Sequence, residues 1–172
     1  MQLKENVTRE DHSQGAEGAK VTLVEYGDYE CSHCGAAYPV VKRLQKRFGE
    51  SLKFVFRNFP LAESHPMAEA SAEAAEYAGT KDKFWQMHDA IYEHQTQLSN
   101  ELLGTLATEN GLDAKAMDEA LKQHTFERRV KKDFMSGVRS GVNGTPAFFI
   151  NGILFDHEAS FETLAVAIEA VR

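Results

Sequence analysis

Cys31 and Cys34 are the only two cysteines of this 172-residue chain, and where they stand restricts the fold more than any other feature. Ahead of them, Val21-Thr22-Leu23-Val24-Glu25-Tyr26 reads as a short, mostly buried strand rich in β-branched residues, ended by Gly27-Asp28. Behind them, Ala37, Val40, Val41, Leu44 and Phe48 recur at helical spacing, with Lys42, Arg43, Lys46 and Arg47 between them and Gly49 closing the element. The pair therefore occupies a strand-to-helix junction and opens the helix. Pro39 lies inside that helix, removes one backbone donor and predicts a kink. A disulfide across so short a loop constrains little of the unfolded chain, so reactivity explains the pair better than stapling does.

The rest of the chain divides by periodicity. Residues 1–20 read as a polar arm, and Leu52-Lys53-Phe54-Val55-Phe56-Arg57 as a second strand. From 64 to 141 strand signals vanish and four or five amphipathic helices follow. Their marks are the alanine-rich run from Met67 to Ala78, the stripe Phe84-Met87-His88-Ile91-Tyr92, then Leu102-Leu103-Leu106, Met117-Ala120-Leu121-His124, and Phe126-Val130-Phe134-Val138. Strand character returns at Ala147-Phe148-Phe149-Ile150, with a turn at Asn151-Gly152 and a return through Ile153-Leu154-Phe155. Phe161, Leu164, Ala165, Ile168 and Val171 close the chain as a helix. The expected class is α/β: one layer built from 21–63 and 142–172, interrupted by an inserted helical domain at 64–141.

Composition removes several function classes. Nineteen Lys and Arg against 26 Asp and Glu give a net charge of −7, which opposes nucleic acid and anionic membrane as partners. No run approaches the ~20 apolar residues of a membrane span, and the opening lacks the apolar stretch of a secretory signal. The Arg128-Arg129 and Lys131-Lys132 pairs read as a solvated helix face, His88 and His124 as packed, His12 and His157 as loop residues, and His65 as a helix-start residue.

Disulfide exchange requires a thiolate that can attack and a second thiol that can resolve the mixed disulfide. A cysteine at a helix start faces unsatisfied N–H groups and the positive end of the dipole, so the Cys31 pKa is expected to fall from ~8.5 into the range ~3.5–7.5. His33, between the cysteines, offers a cationic or donor partner. Glu25, six residues before Cys31, either lies under the motif as a proton relay for Cys34 or points to solvent, since strand position alone does not fix its face. Pro146 enters a strand from Gly144-Thr145. That is compatible with a cis peptide that exposes the Thr145 backbone for pairing with an extended substrate, and equally with an ordinary turn.

The stretch Glu25-Tyr26-Gly27-Asp28-Tyr29-Glu30-Cys31-Ser32-His33-Cys34, a helical block, and Gly144-Thr145-Pro146-Ala147-Phe148-Phe149-Ile150-Asn151-Gly152 together resemble the DsbA-like branch of the thioredoxin superfamily over nearly the whole chain. The resemblance implies a thioredoxin fold with the helical insertion. It also implies Cys31 as nucleophile, Cys34 as resolving cysteine, His33 as a tuning residue, Glu25 as a buried acid, and Pro146 in cis opposite the motif beside Thr145. The activity implied is thiol-disulfide exchange with protein or peptide substrates, as an oxidase or general oxidoreductase. A redox partner would serve it, with no cofactor and no metal, and a monomer is expected because the added dimerisation domain of isomerases is absent. Ser32-His33 and Thr145 depart from the Pro-His and Val of the best-known periplasmic oxidases, which leaves the redox poise open. The opening DHSQGAEGAKVTLVEYGDYEC is similar to unexported members, including domains joined to sodium/proton antiporters. A cytoplasmic setting is therefore expected, or a periplasmic one if a leader precedes this sequence.

Two rival readings come from other classes. Zinc could use Cys31, Cys34 and a nearby histidine, although structural zinc usually takes four ligands. A thioredoxin-like interaction module could use the cysteines as a redox sensor, a question that fold alone does not decide.

Overall fold

The computed structural model describes residues 1–172. In chain order it contains β1 (His12–Gln14), β2 (Val21–Gly27), α1 (Ser32–Phe48), β3 (Leu52–Asn58), α2 (Ala68–Gly79), α3 (Phe84–Glu93), α4 (Asn100–Glu109), α5 (Ala114–Lys122), α6 (Glu127–Arg139), β4 (Ala147–Ile150), β5 (Ile153–Leu154) and α7 (Phe161–Val171). The five strands form one sheet in the order β1-β3-β2-β4-β5. β2 and β3 are parallel, joined by the crossover helix α1, while β1, β4 and β5 each run antiparallel to their neighbours.

β2 and β3 are buried on both faces, which explains their nearly continuous apolar sequences. Odd-numbered Val21 and Leu23 join Phe54, Phe56, Phe148 and Ile150 in the larger core beneath α1, α3 and α7. Even-numbered Val24 and Tyr26 join Val55, Phe59, Val142 and Phe149 in a smaller core on the opposite face. α2 is buried along almost its entire length, because its alanines let α3, α4, α5 and α6 pack around it. Helix starts are set locally: Ser99 accepts from the Leu102 N–H, Asp113 from the Ala116 N–H, and Ser160 and Thr163 form a capping box. The hairpin turn uses Asn151 and Gly152 at φ 48° and 80°, the left-handed pair that a two-residue turn needs. α1 continues through Pro39 to Phe48.

Several expectations from sequence need correction. Residues 1–20 are not a free polar arm. His12–Gln14 pairs with Phe54–Phe56 of β3 along the sheet edge. At the opposite edge the Leu3 N–H donates to Gly152 O at 2.8 Å, and the Leu154 N–H donates to Met1 O at 3.0 Å. Between these anchors Leu3 and Val7 cover the smaller core. The side chain that fixes the segment is Arg57, which donates to the Glu5 and Asn6 carbonyls and to the Asp11 carboxylate. Such long-range anchoring leaves no periodicity to read. His12 accordingly is not a loop residue: it stacks on Phe84 at 3.5 Å and bonds Glu76 at 2.9 Å. His88 is buried, as its stripe predicts, but His124 sits exposed beyond the end of α5 at φ 51°. Arg129, read as a solvated residue, is half-buried, binding Asp133 and the Glu10 carbonyl.

Candidate active site

The site forms where β2 hands over to α1. Cys31 is the N-cap of α1 with an extended backbone (φ −71°, ψ 121°), and its carbonyl accepts the first helical bond from the Gly35 N–H at 3.0 Å. Cys31 is 6% exposed and Cys34, one turn further, is fully buried; both are free thiols. The Thr145–Pro146 peptide is cis. The Cys31 thiol lies 3.6 Å from the Thr145 carbonyl, so the loop before β4 faces the motif across the end of the sheet.

The two sulfurs are electrostatically unlike. The Cys34 thiol, donating to Cys31 Sγ, is the largest influence holding the Cys31 pKa down to about 5; burial opposes it, and Thr145, then the Cys34 and His33 backbone N–H groups, reinforce it. Burial pushes Cys34 far above the ordinary thiol value, and its hydrogen bond to Cys31 and the nearby Glu25 add to this. Glu25, 2% exposed, aligns with Phe56 on one side and Phe148 on the other, on the α1 face of the central strand. Burial, then the Cys31 charge, raises its pKa to about 8. One of its carboxyl oxygens, Oε1, has no hydrogen-bond partner.

Five of the six residues singled out in the sequence converge here: Cys31, Cys34, Glu25, Thr145 and Pro146. The His33 side chain does not join them. It is exposed and makes no hydrogen bond, and what residue 33 contributes is its backbone N–H. No group of three His, Cys, Asp or Glu side chains converges as a metal-holding set.

Three further residues shape the site without having announced themselves. Asp28, 1% exposed, lends its N–H to Cys34 Sγ at 3.4 Å. Its carboxylate accepts from the Glu30 and Leu61 N–H groups at 2.8 and 2.9 Å and pairs with His65 at 2.8 Å, which raises the His65 pKa. Gln95, after α3, donates to the carbonyls of Tyr29 and Cys31. In the sequence Asp28 marks the end of a strand and nothing singles out Gln95; only tertiary contact brings either to the cysteines. Under the motif, buried Tyr29 bonds His88 at 2.8 Å and packs between Phe56 and Tyr92. Burial holds His88 well below its usual pKa and therefore neutral.

Comparison with known proteins bears on the fold. The oxidised crystal structure of BdbD from Bacillus subtilis is similar with a TM-score of 0.85 and 26% identity, covering 93% of this chain and 91% of that one. Wolbachia pipientis α-DsbA1 shares the fold at a TM-score of 0.83 and 16% identity, covering 96% and 92%. Among curated relatives, the Na(+)/H(+) antiporter NhaA 1 of Salinispora arenicola is 39% identical over 158 residues, 92% of this chain and 24% of that protein. The antiporter NhaA of Herminiimonas arsenicoxydans is 35% identical over 162 residues, 94% and 26% respectively. The chain thus spans about a quarter of the curated relatives it matches, and no helix is long and apolar enough to cross a membrane. The sequence model of the family described as thioredoxin matches residues 7–170, and with a DsbA-like fold around a Cys31-Ser32-His33-Cys34 helix start the chain belongs to the thioredoxin superfamily.

Proposed function

We propose that this chain is a protein thiol-disulfide oxidoreductase, acting as an oxidase or general oxidoreductase on protein or peptide substrates. The observation that carries the reading is the pairing of Cys31, 6% exposed and with pKa about 5, and a fully buried, protonated Cys34 one helical turn away. In the oxidised protein a substrate thiolate attacks Cys31 Sγ and the Cys31–Cys34 bond breaks. Cys34 departs as a thiolate and takes the proton of the Glu25 carboxyl. A second substrate thiolate then attacks the substrate sulfur of the mixed disulfide and expels Cys31 as a stable thiolate, so two electrons pass from substrate to protein. The low Cys31 pKa makes this last departure fast and the reduced protein stable, which favours net oxidation of substrate. Thr145, beside cis-Pro146, offers backbone groups for strand-like pairing with an extended substrate, a mode that reads few side chains.

Equilibration with glutathione buffers, counting free thiols by alkylation and mass, tests the direction of flow. A potential approaching about −120 mV supports a disulfide donor; one near or below about −270 mV removes the oxidase reading in favour of a reductase. Cys31→Ser is expected to abolish insulin reduction and the oxidation of a reduced protein. The match to about a quarter of sodium/proton antiporters favours a second reading, a redox-sensing module attached to or serving such a protein on the cytoplasmic side. A sensor would cycle between its dithiol and disulfide states yet show no turnover in either assay.

A further inference from the structure

We propose that Gln95 is a positioning residue for the dithiol: its carboxamide, carried by the helical block, clamps the turn that presents the Cys31 sulfur. This rests on the exchange reading above. Gln95 Nε2 donates to Tyr29 O at 2.8 Å and to Cys31 O at 2.7 Å, so both N–H groups of the amide are used on alternate carbonyls of one turn. That turn is itself closed by the Cys31 N–H donating to Asp28 O at 3.2 Å. The assignment of the amide is forced, because turning it over would set Oε1 against two carbonyl oxygens.

A second, independent feature of the chain points to the same contact. Gly35, immediately after Cys34, lies inside α1, where alanine would form helix better. A Cβ at position 35 would stand 2.1 Å from Gln95 Oε1 and 2.8 Å from its Cδ. The glycine is therefore the space in which the amide sits, and the helix forgoes its better residue to admit a side chain from another element.

The consequence falls on the sulfur. The Cys31 carbonyl is held from two directions, by the Gly35 N–H at 3.0 Å and by Gln95. Fixing that carbonyl fixes the peptide planes that follow it, and those planes carry the His33 and Cys34 N–H groups that reach Cys31 Sγ. The clamp also makes the helical block part of the active site: α3 ends just before Gln95, so a shift of that helix moves the nucleophile's turn.

The test follows thiolate absorbance of the reduced protein against pH, together with the glutathione equilibrium, in the parent, Gln95→Met, Gly35→Ala and the double variant. Gln95→Met keeps the length and removes both donors; Gly35→Ala leaves Gln95 in the chain but displaces its flexible amide. In each single variant the Cys31 pKa is expected to rise by about half to one unit, and the equilibrium constant for oxidising glutathione to fall about three- to tenfold. The double variant should change no more than either single one, because both remove one contact. A merely structural role for Gly35 predicts the opposite pattern, a more stable helix with an unmoved pKa. Folded Gln95→Met with the parent's pKa and equilibrium overturns the clamp; should that variant fail to fold, Gly35→Ala at parent values overturns it equally. A parent Cys31 with an ordinary pKa would instead sink the exchange reading itself.

Discussion

Glu25 is the residue whose orientation the sequence left open and the structure decided. As a carboxyl in an apolar strand it could face either way; registered between Phe56 and Phe148 on the central strand, it is buried, with 2% exposure. Its pKa rises from 4.5 to about 8, so between those values the unfolded chain ionises at this position while the folded protein stays protonated. Stability from this group is complete below about pH 4.5 and declines as pH rises towards 8. In the reduced protein, Glu25→Gln is expected to raise the stability at pH 8 relative to that at pH 5 by about 3 kcal/mol over the parent's own change, read from urea titrations at the two values. It should also slow the steps in which Cys34 gains or loses a proton. An unchanged pH dependence would mean that the carboxyl ionises normally in the fold. His33 carries the converse lesson: its position between the cysteines is conspicuous in the sequence, yet its ring is exposed and its backbone is what meets the sulfur.

At the scale of elements, the long periodic helices and the buried strands were legible, because burial imposes a spacing that survives in the sequence. β1 was not, since three residues with intermediate burial carry no period. What holds β1 is a set of side chains remote in sequence. His12 binds Glu76 of α2 and stacks on Phe84 of α3. Buried Glu76, whose pKa burial would raise, is kept low by that bond, and the Asn58 amide also donates to it. His12→Ala is expected to cost about 1–3 kcal/mol, seen as a lower urea midpoint, because it removes a stacked ring and leaves a buried carboxylate short of a partner. A midpoint matching the parent would show the strand to be held by its backbone pairing and Arg57 alone. α6 illustrates the same limit: Arg129 and Asp133 sit in one exposed-looking basic run, but Asp133 is buried, accepting from the Asn58 N–H at 3.0 Å.

For the whole molecule, the dithiol couples redox state to stability. Cys31 has its pKa depressed from 9.0 to about 5, so it stabilises the reduced protein fully above the ordinary thiol value, and that contribution is lost as pH falls through 5. The elevated Cys34 pKa acts only above about 9 and leaves this window untouched. The reduced form is therefore expected to be the more stable at pH 7, by a margin that narrows steadily towards pH 5. Paired denaturant titrations with and without reductant measure it. Greater stability of the oxidised form at pH 7 would contradict a disulfide-donating protein.

The sequence by itself determined the strand-to-helix placement of Cys31 and Cys34, the helical character of the block between the strands, and the hairpin at Asn151-Gly152. Each of these depends on local spacing, on the orphan N–H groups of a helix start, or on the φ that one residue type tolerates. The tertiary structure alone decided which face Glu25 takes, that Asp28 and Gln95 belong to the site, and that the first residues bind both edges of the sheet. Most of those outcomes depend on pairings between segments remote in sequence. A polar side chain carries no mark of a distant partner, whereas an apolar one in a helix or strand repeats the period of the surface it buries.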